Sequence, residues 1–256
     1  MNAPILITGG TGNIGSRVVR ILSGAARDIR ILSRHPRDPA PGVEHVGGDI
    51  VKGVGLDAAL ERVGIVIHLA GGANGDDVAA RNLTTAARAA GVDHLVLISV
   101  IGADRMPIGY FRRKATAERE FADSGVPWTI LRSAQLHDFV LPMARTLSAL
   151  RLAPRGLRFE PVDGDEVARR LVDLALGAPA RGVQDFAGPE VLDVEALVQT
   201  YDESLGRRRG VLSFRMPGAA GRAYRAGDNL TDSTAQRGEG TWRAFLENTV
   251  GVLRAA

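Results

Sequence analysis

The sequence predicts an α/β protein with a doubly wound parallel sheet, and three observations lead to this fold class. Strand-like and helix-like segments alternate through the first half of the chain, a pattern that implies right-handed crossovers. Residues 65–69 and 95–98 are nearly continuous apolar runs, as expected for strands that are buried on both faces. The first strand leads directly into a glycine-rich turn and a helix.

The individual elements of the first half follow from local patterns. Strands are predicted at residues 3–8, 28–33, 43–47, 63–69, 94–99 and 127–132. Helices are predicted at residues 13–24, 54–62, 76–90, 110–124 and 135–150. Gly91 and Gly125 stand where helix C-caps are expected, each just before the next strand. The sheet order 3-2-1-4-5-6 is carried over from the fold class.

The pattern loosens after residue 150. Helices are predicted at residues 163–176, 194–205 and 242–253, and a short strand at 184–187. Residues 210–240 are rich in glycine and arginine, and no element is assigned there. Because no repeat or low-complexity linker divides the chain, we predict a main domain over residues 1–150 and a small C-terminal lobe over residues 151–256 that packs on the same domain.

Composition limits the class of protein. The 256 residues are 45% hydrophobic and 24% charged, which is ordinary for a globular protein. No apolar run is long enough to cross a bilayer, and the chain enters a strand at once. We therefore expect no secretory leader, no membrane partner and a cytoplasmic location. The absence of cysteine excludes disulfides and cysteine-based metal or thiol chemistry, and we predict no metal site.

The basic residues are almost all arginine, since Lys52 and Lys114 are the only lysines. Such a bias indicates coding composition rather than nucleic-acid binding. The one basic cluster, residues 207–209, follows a predicted helix end, where the helix dipole favours positive charge. We expect no nucleic-acid partner.

A glycine-rich turn joins the first strand to the first helix. Gly9, Gly12 and Gly15 stand three apart, directly after the apolar or β-branched residues 5–8. Such a turn lets the backbone approach a pyrophosphate, and the start of the helix favours its negative charge. Gly15 is expected to let the helix pack tightly on the strand. A tight structural turn is the alternative, but the strand–turn–helix context favours a dinucleotide site and a Rossmann-type NAD(P)-binding domain.

The end of the second strand favours NADP(H), with NAD(H) as the other possibility. An acidic residue there would bind the ribose hydroxyls of NAD, but this strand ends in Ser33 and Arg34. A guanidinium suits a 2′-phosphate, which it binds through parallel hydrogen bonds. The alternative is that Arg34 is one more surface arginine. Asp49 and Ile50 are expected at the adenine, and residues 69–72 either approach the cofactor or form a structural turn.

Ser99, Tyr110 and Lys114 form a candidate reaction centre. Ser99 ends the fifth strand, whereas the tyrosine and the lysine are four residues apart and share a helix face. A nearby cation stabilises the phenolate, which makes tyrosine usable as a general acid or base. Ser99 is expected to hold the substrate oxygen. In the alternative interpretation Tyr110 is a boundary aromatic and Lys114 a solvated residue, while His68 is expected to be a core histidine.

With these residues in place, the chain resembles the short-chain dehydrogenase/reductase superfamily, most of all its extended and atypical branch with the NmrA-like NAD(P)-binding proteins. The resemblance is specific over about residues 1–140, and its motifs lie at residues 8–15, 33–34, 48–50, 68–71, 99, 110–114 and 125–132. It implies that the glycines bind pyrophosphate, that Arg34 reads the 2′-phosphate, and that Tyr110 and Lys114 are the proton-transfer pair. The predicted cofactor-binding residues are Gly9, Thr11, Gly12, Asn13, Ile14, Gly15, Ser33, Arg34, Asp49, Ile50, Leu69, Ala70, Gly71 and Lys114.

The leading functional hypothesis is an NADP(H)-dependent oxidoreductase. It transfers a hydride to or from a small carbonyl, quinone or enone substrate, with Tyr110 as proton donor or acceptor and Ser99 orienting the substrate. The second hypothesis is a non-catalytic NAD(P)H-binding sensor or regulator of the NmrA-like type. The third is a nucleotide-sugar epimerase, which Arg34 and the small C-terminal part disfavour. The expected partner is a small-molecule substrate, and the protein is expected to be a monomer or a homodimer.

Overall fold

The predicted alternation of strands and helices is present in the computed structural model, which describes residues 3–25, 27–72 and 75–255. Its elements lie within about two residues of the predicted spans. The strands are β1 (Ile5–Thr8), β2 (Ile29–Ser33), β3 (Val43–Gly47), β4 (Ile65–His68), β5 (His94–Val100) and β6 (Trp128–Ser133). The helices are α1 (Asn13–Gly24), α2 (Leu56–Leu60), α3 (Asp76–Ala90), α4 (Gly109–Ala122) and α5 (His137–Leu150).

The second half also contains the predicted elements, together with short ones that were not assigned. Its strands are β7 (Leu152–Pro154), β8 (Arg158–Phe159), β9 (Val183–Ala187), β10 (Leu192–Asp193), β11 (Leu212–Phe214) and β12 (Gln236–Arg237). Its helices are α6 (Gly164–Leu176), α7 (Val194–Ser204), α8 (Gly218–Ala226) and α9 (Trp242–Ala255). Residues 210–240 therefore contain β11, α8 and β12.

The central sheet has eight strands in the order β12-β9-β6-β5-β4-β1-β2-β3. The predicted order 3-2-1-4-5-6 is confirmed, and β9 and β12 continue the sheet beyond β6. Strand β1 pairs in parallel with β2 and β4, so that Ile7 lies opposite Ile31 on one side and Ile67 on the other. The chain order reverses between β1 and β4, which makes their carboxyl ends the topological switch point. The predicted fold class is confirmed.

The chain divides into two compact units whose segments interleave along the sequence. The first unit consists of Met1–Ser99, Arg112–Arg132 and Val167–Gln184. The second unit consists of Val100–Phe111, Ser133–Glu166 and Asp185–Ala256. The predicted domain boundary at residue 150 stays a prediction.

The core of the first unit packs helices α2, α3 and α4 against the sheet. The side chains at its centre are fully buried: Leu6, Leu60, Leu83, Leu95 and Phe121. Burial of each such side chain contributes on the order of 1.5–3 kcal/mol. This core holds the ends of strands β1 to β4 in fixed positions.

The second unit has its own core around Trp242, at the start of α9. Trp242 stacks on Phe245, and its indole N–H donates a hydrogen bond to the backbone oxygen of Leu197 in α7 over 3.2 Å. The terminal helix therefore packs against α7 within this unit. In the described parts of the chain, none of the helices is both long enough and apolar enough to span a membrane.

Candidate active site

A cleft of about 470 Å³ lies within the first unit, at the carboxyl ends of β1, β2, β3 and β4 and the start of α3. Open α/β sheets bind ligands at the switch point between strands such as β1 and β4, and small-molecule sites commonly have volumes of this size. The predicted cofactor-binding residues that line the cleft are Gly9, Thr11, Gly12, Ser33, Arg34, Asp49, Ile50, Leu69, Ala70 and Gly71. Asn13, Ile14, Gly15 and Lys114 lie outside its lining.

The glycine-rich turn has no space for side chains at two of its three glycines. Gly9 has φ +72°, and a Cβ there would lie 2.6 Å from the backbone nitrogen of Ala70. A Cβ on Gly15 would lie 2.0 Å from the backbone oxygen of Gly9. Gly15 was predicted to let the helix pack tightly on the strand. The atoms closest to it belong instead to the backbone of the turn, at Gly9 and Gly10.

The start of α1 is suited to an anion. Gly12 is the N-cap residue, and no side chain makes a capping hydrogen bond there. The N–H groups of the first turn therefore remain available, and the helix dipole adds a positive potential. Together with the side-chain-free cradle of Gly9 and Gly15, this geometry fits the pyrophosphate of a dinucleotide.

The end of β2 presents a basic side chain to the cleft. The Ser33 hydroxyl accepts the backbone N–H of His35 and donates to the backbone oxygen of the same residue, each over 3.1 Å. Ser33 therefore closes the turn that carries Arg34. Arg34 has no carboxylate partner within the described residues, and His35, which the sequence did not single out, also lines the cleft.

The segment after β3 forms a fixed wall. Asp49 Oδ1 accepts the backbone N–H groups of Val51 and Lys52 over 3.0 and 3.3 Å. The Asn82 side-chain amide on α3 donates to the backbone oxygens of Ile50 and Val51 over 3.0 and 2.9 Å. One oxygen of Asp49 thus stabilises its own loop, and helix α3 anchors that loop to the first unit.

His68 is a buried, hydrogen-bonded core histidine, as expected. Thr8 Oγ1 lies 2.6 Å from His68 Nδ1 and accepts the backbone N–H of Ala70 over 3.3 Å. Burial and, to a smaller extent, the positive charge of Lys114 lower the pKa of His68 from its ordinary value of 6.5 to about 3. The imidazole is therefore neutral near pH 7 and joins the ends of β1 and β4.

The lowered pKa of His68 makes the protein less stable in acid. Below about pH 6.5 the unfolded chain binds a proton at this residue, whereas the folded chain does not until about pH 3. Between about pH 7 and pH 5.5 this difference removes about 1 kcal/mol from the free energy of unfolding. We expect His68→Gln to lose about 1 kcal/mol less than the wild type over that interval in urea titrations. An equal loss in both proteins would contradict this assignment.

Lys114 is not the solvated helix residue of the alternative interpretation, because it is buried. Its Nζ lies 3.0 Å from Oδ2 of Asp76, and both side chains are less than one-tenth exposed. Asp76 lines the cleft, and its Oδ1 accepts the backbone N–H of Gly72 over 2.9 Å. The sequence reasoning missed Asp76, since an acidic residue in the first turn of a helix is ordinarily solvated.

Tyr110 lies in the first turn of α4 and belongs to the second unit. It is 38% exposed, and its ring meets that of Phe111 edge to face, with the centroids 5.5 Å apart. Lys114 follows four residues later on the same helix, so the predicted helical spacing of the pair is present.

The Ser99 hydroxyl is buried and donates to Glu118 Oε1 over 2.5 Å. The guanidinium of Arg132 binds the same carboxylate in bidentate fashion, over 2.8 and 2.6 Å. With its hydrogen on Glu118, the Ser99 oxygen would be left to accept a hydrogen bond, and its contact with a substrate stays a prediction. Sequence reasoning missed Glu118, although Tyr110, Lys114 and Glu118 recur at four-residue intervals.

Comparisons with known proteins identify the family. Residues 9–175 match the model of the family described as NAD(P)H-binding. A (4-alkanoyl-5-oxo-2,5-dihydrofuran-3-yl)methyl phosphate reductase of Streptomyces griseus is 31% identical over 79% of this chain and 74% of its own. An NAD(P)H azoreductase of Xenophilus azovorans is 36% identical over 73% of this chain and 71% of its own.

A solved structure supports the fold. The NADPH-dependent quinone oxidoreductase of Escherichia coli, complexed with NADPH, superimposes with a TM-score of 0.83 at 20% identity, over 96% of this chain and 99% of that one. The sequence matches confirm the predicted NAD(P)-binding family. The chain therefore belongs to the NAD(P)H-binding family.

Proposed function

We propose that the protein is an NADP(H)-dependent oxidoreductase that reduces, or forms by oxidation, a small carbonyl, quinone or enone compound. The broader class, an NAD(P)-dependent oxidoreductase, follows from the family and from two sequence relatives that are both named reductases. The observation that carries the proposal is the cleft, in which the glycine-rich turn and the uncapped start of α1 lie at the switch point with Arg34 at the end of β2.

The side chain of Arg34 supports a preference for NADP(H). It lines the cleft, it has no acidic partner within the described residues, and no carboxylate replaces it at the end of β2. A bidentate guanidinium–phosphate interaction is stronger than a neutral hydrogen bond and would be absent with NAD(H). His35, the next residue, also lines the cleft, so its imidazole is a second group with N–H hydrogen-bonding capacity near the end of β2.

The proposed reaction divides the work between cofactor and protein. When bound, the reduced nicotinamide supplies a hydride to the substrate, and its oxidised form accepts one. Tyr110 donates its phenolic proton to the oxygen that gains negative charge, and it regains a proton from solvent. Lys114 supplies the positive charge that stabilises the phenolate. The oxygen of Ser99, whose hydrogen is donated to Glu118, would orient the substrate by accepting the hydrogen of its hydroxyl form.

Arg34→Ala is expected to weaken NADPH binding at least tenfold, which corresponds to about 1.4 kcal/mol, while NADH binding stays nearly unchanged. The reason is that only NADPH carries the phosphate that the guanidinium would contact. Calorimetric titration with both coenzymes measures the ratio of the two affinities. Arg37→Ala, an arginine in the same loop outside the cleft lining, is the matched control and should leave that ratio unchanged. A wild type that prefers NADH would contradict the assignment.

The activity itself is tested by following NADPH oxidation with a panel of quinones, ketones and enones. At least one class is expected to give saturable turnover that depends on the protein concentration. If NADPH binds but no member of the panel is reduced, and no alcohol is oxidised with NADP⁺, the non-catalytic sensor is the better description. If neither coenzyme gives a binding isotherm, the cofactor assignment fails as well.

A further inference from the structure

A buried ion pair joins Asp76, in the wall of the cleft, to Lys114, which lies outside the cleft lining. Lys114 Nζ is 3.0 Å from Asp76 Oδ2, and the two side chains are only 7% and 5% exposed. Burying two charges costs desolvation free energy, and apolar residues of similar volume often stabilise a protein at least as well. Stability alone therefore does not explain the pair.

Asp76 joins this pair to the backbone of the cleft. Its second oxygen, Oδ1, accepts the N–H of Gly72 over 2.9 Å, and the residue itself lines the cleft. A Cβ on Gly71 would lie 3.0 Å from Lys114 Nζ, so the ammonium is in close contact with the loop after β4. Asp76 is also the first residue of α3, where the helix dipole favours a carboxylate. One carboxylate thus fixes both the loop and the ammonium.

We propose that Asp76 is a positioning residue, which holds the ammonium of Lys114 against Gly71 and ties it to the loop of residues 69–72. The proposal rests on the proposed function, because Lys114 is the residue through which Asp76 acts. A lysine side chain has four flexible carbons and no fixed geometry of its own. Without the carboxylate, the charge of the lysine is no longer held at one point beside Gly71.

A double-mutant cycle of Asp76→Asn and Lys114→Met tests the proposal. Asparagine keeps the acceptor for Gly72 but removes the charge that holds the lysine. In the wild-type background we expect Asp76→Asn to weaken NADPH binding about tenfold and to lower kcat, because the ammonium of Lys114 is no longer held in place. Residues that act as a unit have non-additive effects, so the second background should differ from the first. In the Lys114→Met background the same substitution is expected to change neither quantity. Equal effects in both backgrounds would overturn the proposal.

The neighbouring acid provides the matched control. Asp77 shares the first turn of α3, and its charge acts on Arg81 instead. Asp77→Asn removes the same charge from the same helix end, so it reports any effect of the dipole alone, and we expect wild-type affinity and kcat. A loss equal to that of Asp76→Asn would also overturn the proposal.

Thermal unfolding and NADPH titration separate an effect on stability from an effect on the site. Each single variant leaves one buried charge without its partner, so its thermal midpoint should fall, and the double variant should recover part of the loss. If Asp76→Asn does not fold, NADPH affinity is compared between Lys114→Met and the double variant. The proposal expects equal affinities, and a difference between the two variants contradicts it. Titration needs no turnover, so a wild type that binds NADPH without reducing any substrate refutes the proposed function alone.

Discussion

Tyr110→Phe is expected to lower kcat by about 10²–10⁴-fold while the affinity for NADPH stays unchanged. The substitution removes only the phenolic oxygen, which would otherwise give its proton to the developing oxyanion. The ring, its edge-to-face contact with Phe111 and the position in α4 all remain. Steady-state kinetics with the best substrate of the panel, together with calorimetric titration of NADPH, measure the two quantities.

Tyr201→Phe is the matched control for this experiment. Tyr201 packs against the core of the second unit, and it has no part in the proposed chemistry. The same loss of one hydroxyl group there should leave kcat close to that of the wild type. If Tyr110→Phe also retains wild-type turnover, Tyr110 is not the proton donor, although the cofactor site is unaffected by that result.

Gly15→Ala is expected to have the second large effect, a loss of NADPH affinity of tenfold or more, equal to at least about 1.4 kcal/mol. The added Cβ would lie 2.0 Å from the oxygen of Gly9 and 2.7 Å from Cα of Gly10. Both are backbone atoms, so the turn itself has to move. A displaced turn no longer presents its backbone to the pyrophosphate, and the overpacking destabilises the fold by about 1–3 kcal/mol. Titration and urea unfolding measure both effects.

Gly24→Ala is the control on the same helix. Gly24 ends α1, and a Cβ there meets no atom within 4 Å. Alanine is the better helix former, by up to about 1 kcal/mol in a helix interior. This variant should therefore bind NADPH as the wild type does and unfold at a slightly higher urea concentration. Equal losses of affinity in both variants would mean that the turn does not hold the pyrophosphate.

The first half of the fold could be predicted because its signals are local. Residues 5–8 are apolar or β-branched, and Gly9, Gly12 and Gly15 follow at fixed spacing. Helix α1 begins where that spacing indicates. The order of the strands is not a local property, and it was available only from the fold class. Gly91 behaves as its position indicated, since its φ of 72° provides the left-handed C-cap of α3.

Residues 210–240 could not be assigned because their elements depend on partners that are distant in the sequence. Strand β12 is two residues long and exists through pairing with Phe186 and Ala187 of β9. Strand β11 likewise forms through parallel pairing with β7. Neither segment is long enough to carry a periodic pattern.

The position of part of the candidate site was predictable from local sequence, since Ser33 and Arg34 at the end of β2 line the cleft as expected. The site was not predictable where the contacts of a residue depend on whether its side chain is buried. Asp76 and Asp77 are equivalent in the sequence, yet only Asp76 is buried against Lys114. In the same way, the sequence indicated a hydroxyl at Ser99 but not the carboxylate of Glu118 to which it is bound.

Helix α3 is bonded to two separate walls of the cleft. Asp76 near its start binds the N–H of Gly72, and Asn82 binds the backbone oxygens of Ile50 and Val51. The gap between these walls therefore changes only if the helix bends or one of these bonds breaks. A dinucleotide that contacts both walls meets a preorganised opening, and little conformational entropy is lost when it binds.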